Sequence, residues 1–242
     1  MNSIRIFVGP SLAQADAKKI AGFDYRPPAR RGEIHAAVVD GVSAIGLIDG
    51  YYGTVPAVLH REILFALSRG IPVCGAASIG AVRAAELAPF GMVGVGAIFE
   101  GYRSGELTGD DEVAILHAPE ELGYAPLVDV LVNIRATLKA AEKAGMIGQK
   151  DAAALIQLAR SRCFRERKFE KIVRESSSHG RTGDDAQRLI DWARANWVDQ
   201  KALDAEELLR VMLRPLQPPP AVRFIATTHW RAAIEEAELF LT

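Results

Sequence analysis

The sequence predicts an α/β fold, with a mostly parallel sheet and flanking helices in the N-terminal half and a helical C-terminal layer packed on it. Three observations carry that reading. Between about residues 4 and 118, short apolar runs alternate with amphipathic segments through short connections, the pattern of a parallel sheet covered by helices. From about 127 to 213 the apolar residues recur at helical spacing. One stretch, Ile71 to Leu87 (IPVCGAASIGAVRAAEL), passes from strand to helix through residues too small to obstruct the turn. The chain reads as a single unit over residues 1–242, in which 217–242 form a linker and tail.

Ile4 to Gly9 alternates apolar and polar residues and ends in Gly-Pro-Ser, a strand entering a turn. Ser11 is placed to cap a helix over Leu12 to Ile20, and the Pro- and Arg-rich segment Phe23 to Gly32 reads as a surface loop. Ala44 to Ile48 is a second strand, ending in Asp49-Gly50. Val55-Pro56 opens a helix through Ser68, with Leu59, Ile63, Ala66 and Leu67 as its buried stripe and Gly70 at its end. Phe90 to Gly109 is glycine-rich and reads as short helical pieces and loops. Asp110-Asp111-Glu112 precedes a predicted strand over Val113 to His117; adjacent strand residues point to opposite faces, so this acidic run is a solvated turn with one inward carboxylate. Five helices follow, over Leu127–Ala144, Lys150–Cys163, Arg165–Ser176, Asp184–Trp197 and Lys201–Leu213, punctuated by Gly145, Gly148, Ser176-Ser177-Ser178, Gly180 and Asn196. Gln217-Pro218-Pro219-Pro220 is a stiff linker, followed by a strand-like piece (Val222 to Ala226) and an amphipathic tail helix ending at Thr242.

With 242 residues, 49% of them hydrophobic, the chain can bury a sizeable core. A net charge of −1 gives no global field toward nucleic acid or an anionic membrane. The only cysteines, Cys74 and Cys163, stand in unrelated contexts, which excludes a disulfide framework and a CxxC-type metal site. MNSIRIFVG lacks a signal-peptide apolar region, and no apolar run approaches the roughly 18 residues of a membrane span. A soluble, cytoplasmic protein without nucleic-acid or membrane partners is the expectation.

If the strands are parallel, Gly9-Pro10-Ser11, Asp49-Gly50 and Gly75-Ala76-Ala77-Ser78 converge on the carboxyl edge of the sheet, where open α/β sheets bind ligands. A serine between strand and helix is the placement of a nucleophile elbow, with the helix start presenting N–H groups to an oxygen that gains charge. The match to G-x-S-x-G is partial, because Ala76 stands at its first glycine. The plain alternative is a turn in which Ser78 caps the helix.

His35, His60, His117, His179 and His229 never fall at metal-ligand spacing. His60 is a boundary residue, and nothing in the spacing supports a triad of Ser78, His60 and Asp49. A desolvated lysine is the other way to activate a serine. Lys201 follows Trp197-Val198 and opens a helix with no later lysine, whereas Lys168 sits in a solvated, charge-dense run (Arg165-Glu166-Arg167-Lys168). Cys74 reads as a small buried thiol rather than a persulfide carrier.

On these motifs the chain resembles the TfuA-like proteins, partners of YcaO enzymes in backbone thioamidation. The resemblance lies in Phe7-Val8-Gly9-Pro10-Ser11, Ile48-Asp49-Gly50, His60-Arg61-Glu62-Ile63-Leu64 and the block from Gly75 to Leu87. It continues through Phe90-Gly91-Met92, Asp110-Asp111-Glu112-Val113 and Val132-Asn133-Ile134-Arg135. It implies a hydrolase-like site with a Ser–Lys pair and no cofactor or metal, acting on the C-terminal thiocarboxylate of a ThiS-type ubiquitin-like sulfur carrier protein. The sulfide released would serve a YcaO-type enzyme, through which the peptide substrate is engaged. Ser78 matches the family serine by its surrounding motif, and Lys201 matches the lysine through Asp199-Gln200-Lys201-Ala202-Leu203-Asp204-Ala205. The family often has His-Lys-Glu where this chain has His60-Arg61-Glu62, and an arginine there cannot serve as base because it stays protonated. The residues expected around the substrate or oxyanion are Ile79, Gly80, Gly9, Ser11, Asp49, His60 and Arg83. The competing reading is a non-catalytic adaptor that binds the YcaO enzyme and its peptide, with Ser78 only a helix cap. A nucleotide-binding domain is disfavoured, since neither G-x-x-x-x-G-K-[ST] nor G-x-G-x-x-G occurs.

Overall fold

The computed structural model describes residues 3–51, 53, 55–176 and 182–238. Ser177, Ser178, His179, Gly180 and the tail end at Thr242, all named above, lie outside these residues. Five parallel strands form one sheet in the order β2-β1-β3-β4-β5: β1 Ile4–Phe7, β2 Asp24–Arg26, β3 Ala44–Leu47, β4 Val73–Ala76 and β5 Val93–Val95. The order reverses beside β1, so the chain is doubly wound, with its switch point between β1 and β3. The parallel sheet and the helical C-terminal part are as expected from the sequence.

The chain divides into two compact units, one of residues 1–107 with 202–242 and one of residues 108–201. In the first unit, strand alternation sends Ile6, Val8, Ala44, Ile48, Cys74 and Ala76 to one face of the sheet. They are covered by Leu12 and Ala17, on or beside α1 (Gln14–Ile20), and by Ala205, Leu208, Leu209 and Met212 of α10 (Gln200–Met212). Gly46 permits that contact, since a Cβ there would stand 2.7 Å from the Met212 sulfur. The other face buries Phe7, Ile45, Leu47 and Val73. On that side run α2 (Glu33–Val39), α3 (His60–Ser68) and α4 (Ile79–Leu87), whose Ile34, Ile63, Leu67 and Ala84 are buried. The second unit packs α6 (Leu131–Lys143), α7 (Gln149–Arg160), α8 (Phe169–Ser176) and α9 (Gly183–Ala195) around Leu131, Leu138, Leu155, Ile172 and Ile190.

Several expectations are corrected. Phe23 to Gly32 is not all loop: it contains the edge strand β2, whose Asp24 pairs with Arg5 at 2.8 Å. Helix α2 was not expected at all. The glycine-rich stretch holds both β5 and a nine-residue helix, α5 (Gly96–Ser104). Its glycines serve close packing: a Cβ on Gly94 would lie 2.1 Å from the Phe99 ring. Val113 to His117 is not a strand; a one-turn 3-10 helix over Asp110–Glu112 is followed by a single antiparallel bridge, His117 to Pro126. Pro119 and Pro126 lack the N–H groups a longer ladder would need. Helix α3 starts at His60 rather than Val55, because Glu62 caps the Leu59 N–H at 3.0 Å. Val222 to Ala226 forms no strand; residues 213–227 run without regular structure to α11 (Thr228–Glu238), anchored by side chains. The Arg61 guanidinium lies 5.0 Å from the Phe224 ring centre and donates to the Ile225 carbonyl at 2.5 Å.

Candidate active site

All five strands run the same way, so the loops after β1, β3 and β4 leave from one edge. Asp49, 1% exposed, organises the first two. One of its oxygens accepts the Gly9 and Ser11 N–H groups, each at 2.9 Å, and the other accepts the Ser11 hydroxyl at 2.6 Å. Ser11 is thus held by Asp49 and does not cap α1, whose N-cap residue is Ala13. A buried carboxylate with three donors is a satisfied one, and here it fixes the Gly9 loop to the end of β3.

After β4 the chain turns sharply. Ala77 takes φ 63, outside the usual range for a residue with a Cβ, and Ser78 follows as the N-cap residue of α4. The Ser78 N–H closes the turn on the Ala76 carbonyl at 2.7 Å, while its own carbonyl accepts the Ala81 N–H at 3.0 Å. The strain falls on Ala77, one residue before the serine, in a position where glycine is the usual occupant. The Ser78 side chain makes no capping bond to α4 and is 8% exposed. Gly80 lies against β3 and donates its N–H to the Ile48 carbonyl at 3.3 Å, and the Ile79 side chain lies beside Gly50, where a Cβ would stand 2.8 Å from it.

His60 and Arg83 gather elsewhere. Both engage Glu86, at 2.6 Å from His60 Nε2 and 2.8 Å from Arg83 Nη1. Glu86 follows Ser78 by eight residues, about 12 Å along a helix.

Lys201 belongs to the second unit, where it is 2% exposed. Its Nζ donates to the Val113 carbonyl at 3.1 Å, and its N–H to Asn133 Oδ1 at 3.2 Å. Asn133 donates in turn to Asp199 at 2.9 Å. Trp197, four residues earlier, is 37% exposed and meets Phe169 edge-on. Lys168 is exposed as expected, but its neighbour Arg167 is fully buried, bonded to the carbonyls of Ala159, Asp111 and Arg162 and to the Asp111 carboxylate. Of the acidic run, Glu112 is the inward member, paired through both oxygens with Arg135 at 2.8 and 2.7 Å.

Three further residues position these loops and escaped sequence reasoning. Glu62, buried, accepts the N–H groups of Leu59 at 3.0 Å and Gly32 at 2.9 Å, tying the loop after β2 to the start of α3. Burial pushes its carboxyl up to about 7, against the pull of those donors. Asp204 caps α5 from α10, accepting from Ala97 at 3.1 Å and Ile98 at 2.8 Å. Gly96, at φ 91, makes room for it, since a Cβ would lie 2.3 Å from the Asp204 carboxyl carbon. The third is Glu86. Only Glu62, three residues after the Leu59 N-cap, carries a sequence signal. Cys74 is buried, and desolvation pushes its thiol up to about 12, the behaviour of an inert core residue.

These features define an open, doubly wound α/β protein with polar loops gathered at the carboxyl ends of β1, β3 and β4. The TfuA-like protein model matches residues 49–168, and the chain belongs to that family. The matched span includes Asp49, Ser78 and Glu112 and ends before Lys201. Membership associates the chain with YcaO-linked thioamidation. No curated protein matches the chain. Among the described residues, no helix is long and apolar enough to cross a membrane.

Proposed function

We propose that this chain hydrolyses the C-terminal thiocarboxylate of a ThiS-type sulfur carrier protein and hands the sulfide to a YcaO-type enzyme. The observation that carries the reading is the Ser78 turn. A serine follows a strained residue at the carboxyl edge of a parallel sheet, and its side chain is not used to cap the helix it begins. Ser78 Oγ attacks the thiocarboxylate carbon as Lys201, in its neutral form, takes the hydroxyl proton. The Ile79 N–H, the first of α4, supports the oxyanion, since that of Gly80 is bonded to Ile48. The C–S bond breaks as the Lys201 ammonium returns that proton to the sulfur, hydrosulfide leaves, and water, deprotonated by the neutral Lys201, resolves the acyl-serine to carboxylate and free hydroxyl. Burial of Lys201 supports its role, because a lysine serves as base near neutral pH only when desolvation or a nearby positive charge favours the amine.

The adaptor reading has one observation of its own: the Lys201 amine donates to the Val113 carbonyl, a role a purely structural lysine would fill. The two separate cleanly. Under the hydrolase reading, a fluorophosphonate probe labels Ser78, and wild-type protein releases sulfide from thiocarboxylated carrier. Ser78→Ala loses that release by at least 100-fold with the wild-type melting profile, Lys201→Met loses it equally while still folded, though less stable because the Val113 carbonyl loses its donor, and Lys168→Ala retains it. Unlabelled protein with no sulfide release, yet with YcaO binding intact, would leave the adaptor.

A further inference from the structure

The second unit carries a hairpin whose polarity is inverted. Residues 116–127 fold back on themselves, with the Ala118 N–H donating to the Ala125 carbonyl and the Leu127 N–H to the Leu116 carbonyl, both at 2.8 Å. A 3-10 turn over Glu120–Leu122 closes the loop, and Gly123 and Tyr124 follow at φ 66 and 56. A tyrosine in the left-handed region costs on the order of 1–2 kcal/mol. Its ring offsets that cost, being 6% exposed and set edge-on to His117 at 5.4 Å. The aromatic residue is therefore tucked beneath the loop and holds it in one shape.

The leucines face outward. Leu116 is 40% exposed, Leu122 67% and Leu127 49%. One such residue on a surface needs no explanation, but here Leu116 and Leu127, opposed across the hairpin, and Leu122 near its tip leave three large apolar side chains exposed on one short, internally bonded loop. From Val113 to Asn133 the chain has no lysine or arginine, while Glu120, Glu121 and Asp129 are acidic. Glu120 and Glu121 stand exposed beside Leu122 at the tip.

We propose that this hairpin docks into a partner protein whose surface offers an apolar groove bordered by lysine or arginine. The leucines enter the groove, and the two glutamates at the rim steer the encounter and set the register. Because the loop is already held by its own bonds and its tyrosine, little ordering cost falls due on binding. Its identification of the partner rests on the functional reading above, which makes the YcaO-type enzyme the protein to present.

The test uses the full chain against immobilised YcaO enzyme at low and high salt. Leu122→Asp combined with Leu127→Asp should weaken binding at least 100-fold. Glu120→Lys combined with Glu121→Lys should slow association about tenfold at low salt, with the effect shrinking at high salt. Release of sulfide from the thiocarboxylated carrier alone, and the melting profile, should stay at wild-type values in both. Leu122→Asp by itself, at the most exposed position, gives the same direction if the double leucine variant folds poorly. Binding as tight as wild type in the leucine variants overturns the proposal. So does a wild-type dimer that Leu122→Asp converts to monomer, which would make the occupant a second copy of this chain. Should wild type bind the enzyme through the hairpin yet release no sulfide, the docking surface stands and the hydrolase reading falls.

Discussion

Gly80 stands against the Leu47 carbonyl so closely that a Cβ on it would lie 1.8 Å from that oxygen. Gly75, on the neighbouring strand, is under the same constraint, with the Gly80 carbonyl oxygen 2.2 Å from its own absent Cβ. The first turn of α4 is thereby pressed onto β3 and β4, and Ser78 takes its position from that contact. Gly80→Ala must push α4 away, because its obstacle is backbone and cannot swing aside. We expect about 3 kcal/mol of lost stability or more, toward the upper end for overpacking, read by chemical denaturation. A variant as stable as wild type would refute the packing argument.

Asp49 makes a second prediction. Asparagine at this position can keep its oxygen toward the two N–H groups and its NH₂ toward the Ser11 hydroxyl, which then accepts instead of donating, but it loses the charge that strengthens all three bonds, so Asp49→Asn should cost about 2–3 kcal/mol. Ser11→Ala removes one donor only and should cost about 1 kcal/mol. Equal costs for the two would show that the carboxylate does not hold the Gly9 loop.

The Glu62 carboxyl gives stability a distinctive pH dependence. Its folded pKa, about 7, lies above the ordinary 4.5, so between those values the folded chain holds a proton that the unfolded chain has released. Stability from this group therefore falls as pH rises through that window, by up to about 3 kcal/mol. Urea titrations from pH 4.5 to 7.5 should show the decline in wild type and a flatter profile in Glu62→Gln. Parallel profiles for the two proteins would contradict it.

The two thiols should react differently. Cys163 is exposed, and Cys74 is buried with its thiol pushed up to about 12. Iodoacetamide at neutral pH should add one group, at Cys163, and reach Cys74 only after unfolding. Mass spectrometry showing prompt modification of Cys74 in folded protein would rule this out.

Much of the sheet was legible because strand periodicity and turn residues coincide at Ile4, Ala44 and the Val73–Ser78 segment. The edges were not: Asp24–Arg26 looks like loop because an edge strand favours charge, and Val93–Val95 because its glycines answer to packing against Phe99 rather than to backbone preference. The grouping of Asp49 with Gly9 and Ser11 followed from parallel strands alone. The bonds of His60 and Arg83 to Glu86, and of Asp204 to α5, did not, because long-range side-chain pairing leaves no periodic trace.

The sheet of the first unit is laid down by the first 107 residues, but one of its faces is closed by α10, which follows the whole second unit. During synthesis at about 5–20 residues per second, the roughly 110 residues between Val95 and Ala205 take about 5–20 s to emerge. Throughout that interval Ile6, Val8 and Ile48 have only α1 to cover them. Until α10 emerges, the nascent chain carries that apolar face open, and a chain stopped before Ala205 keeps it open.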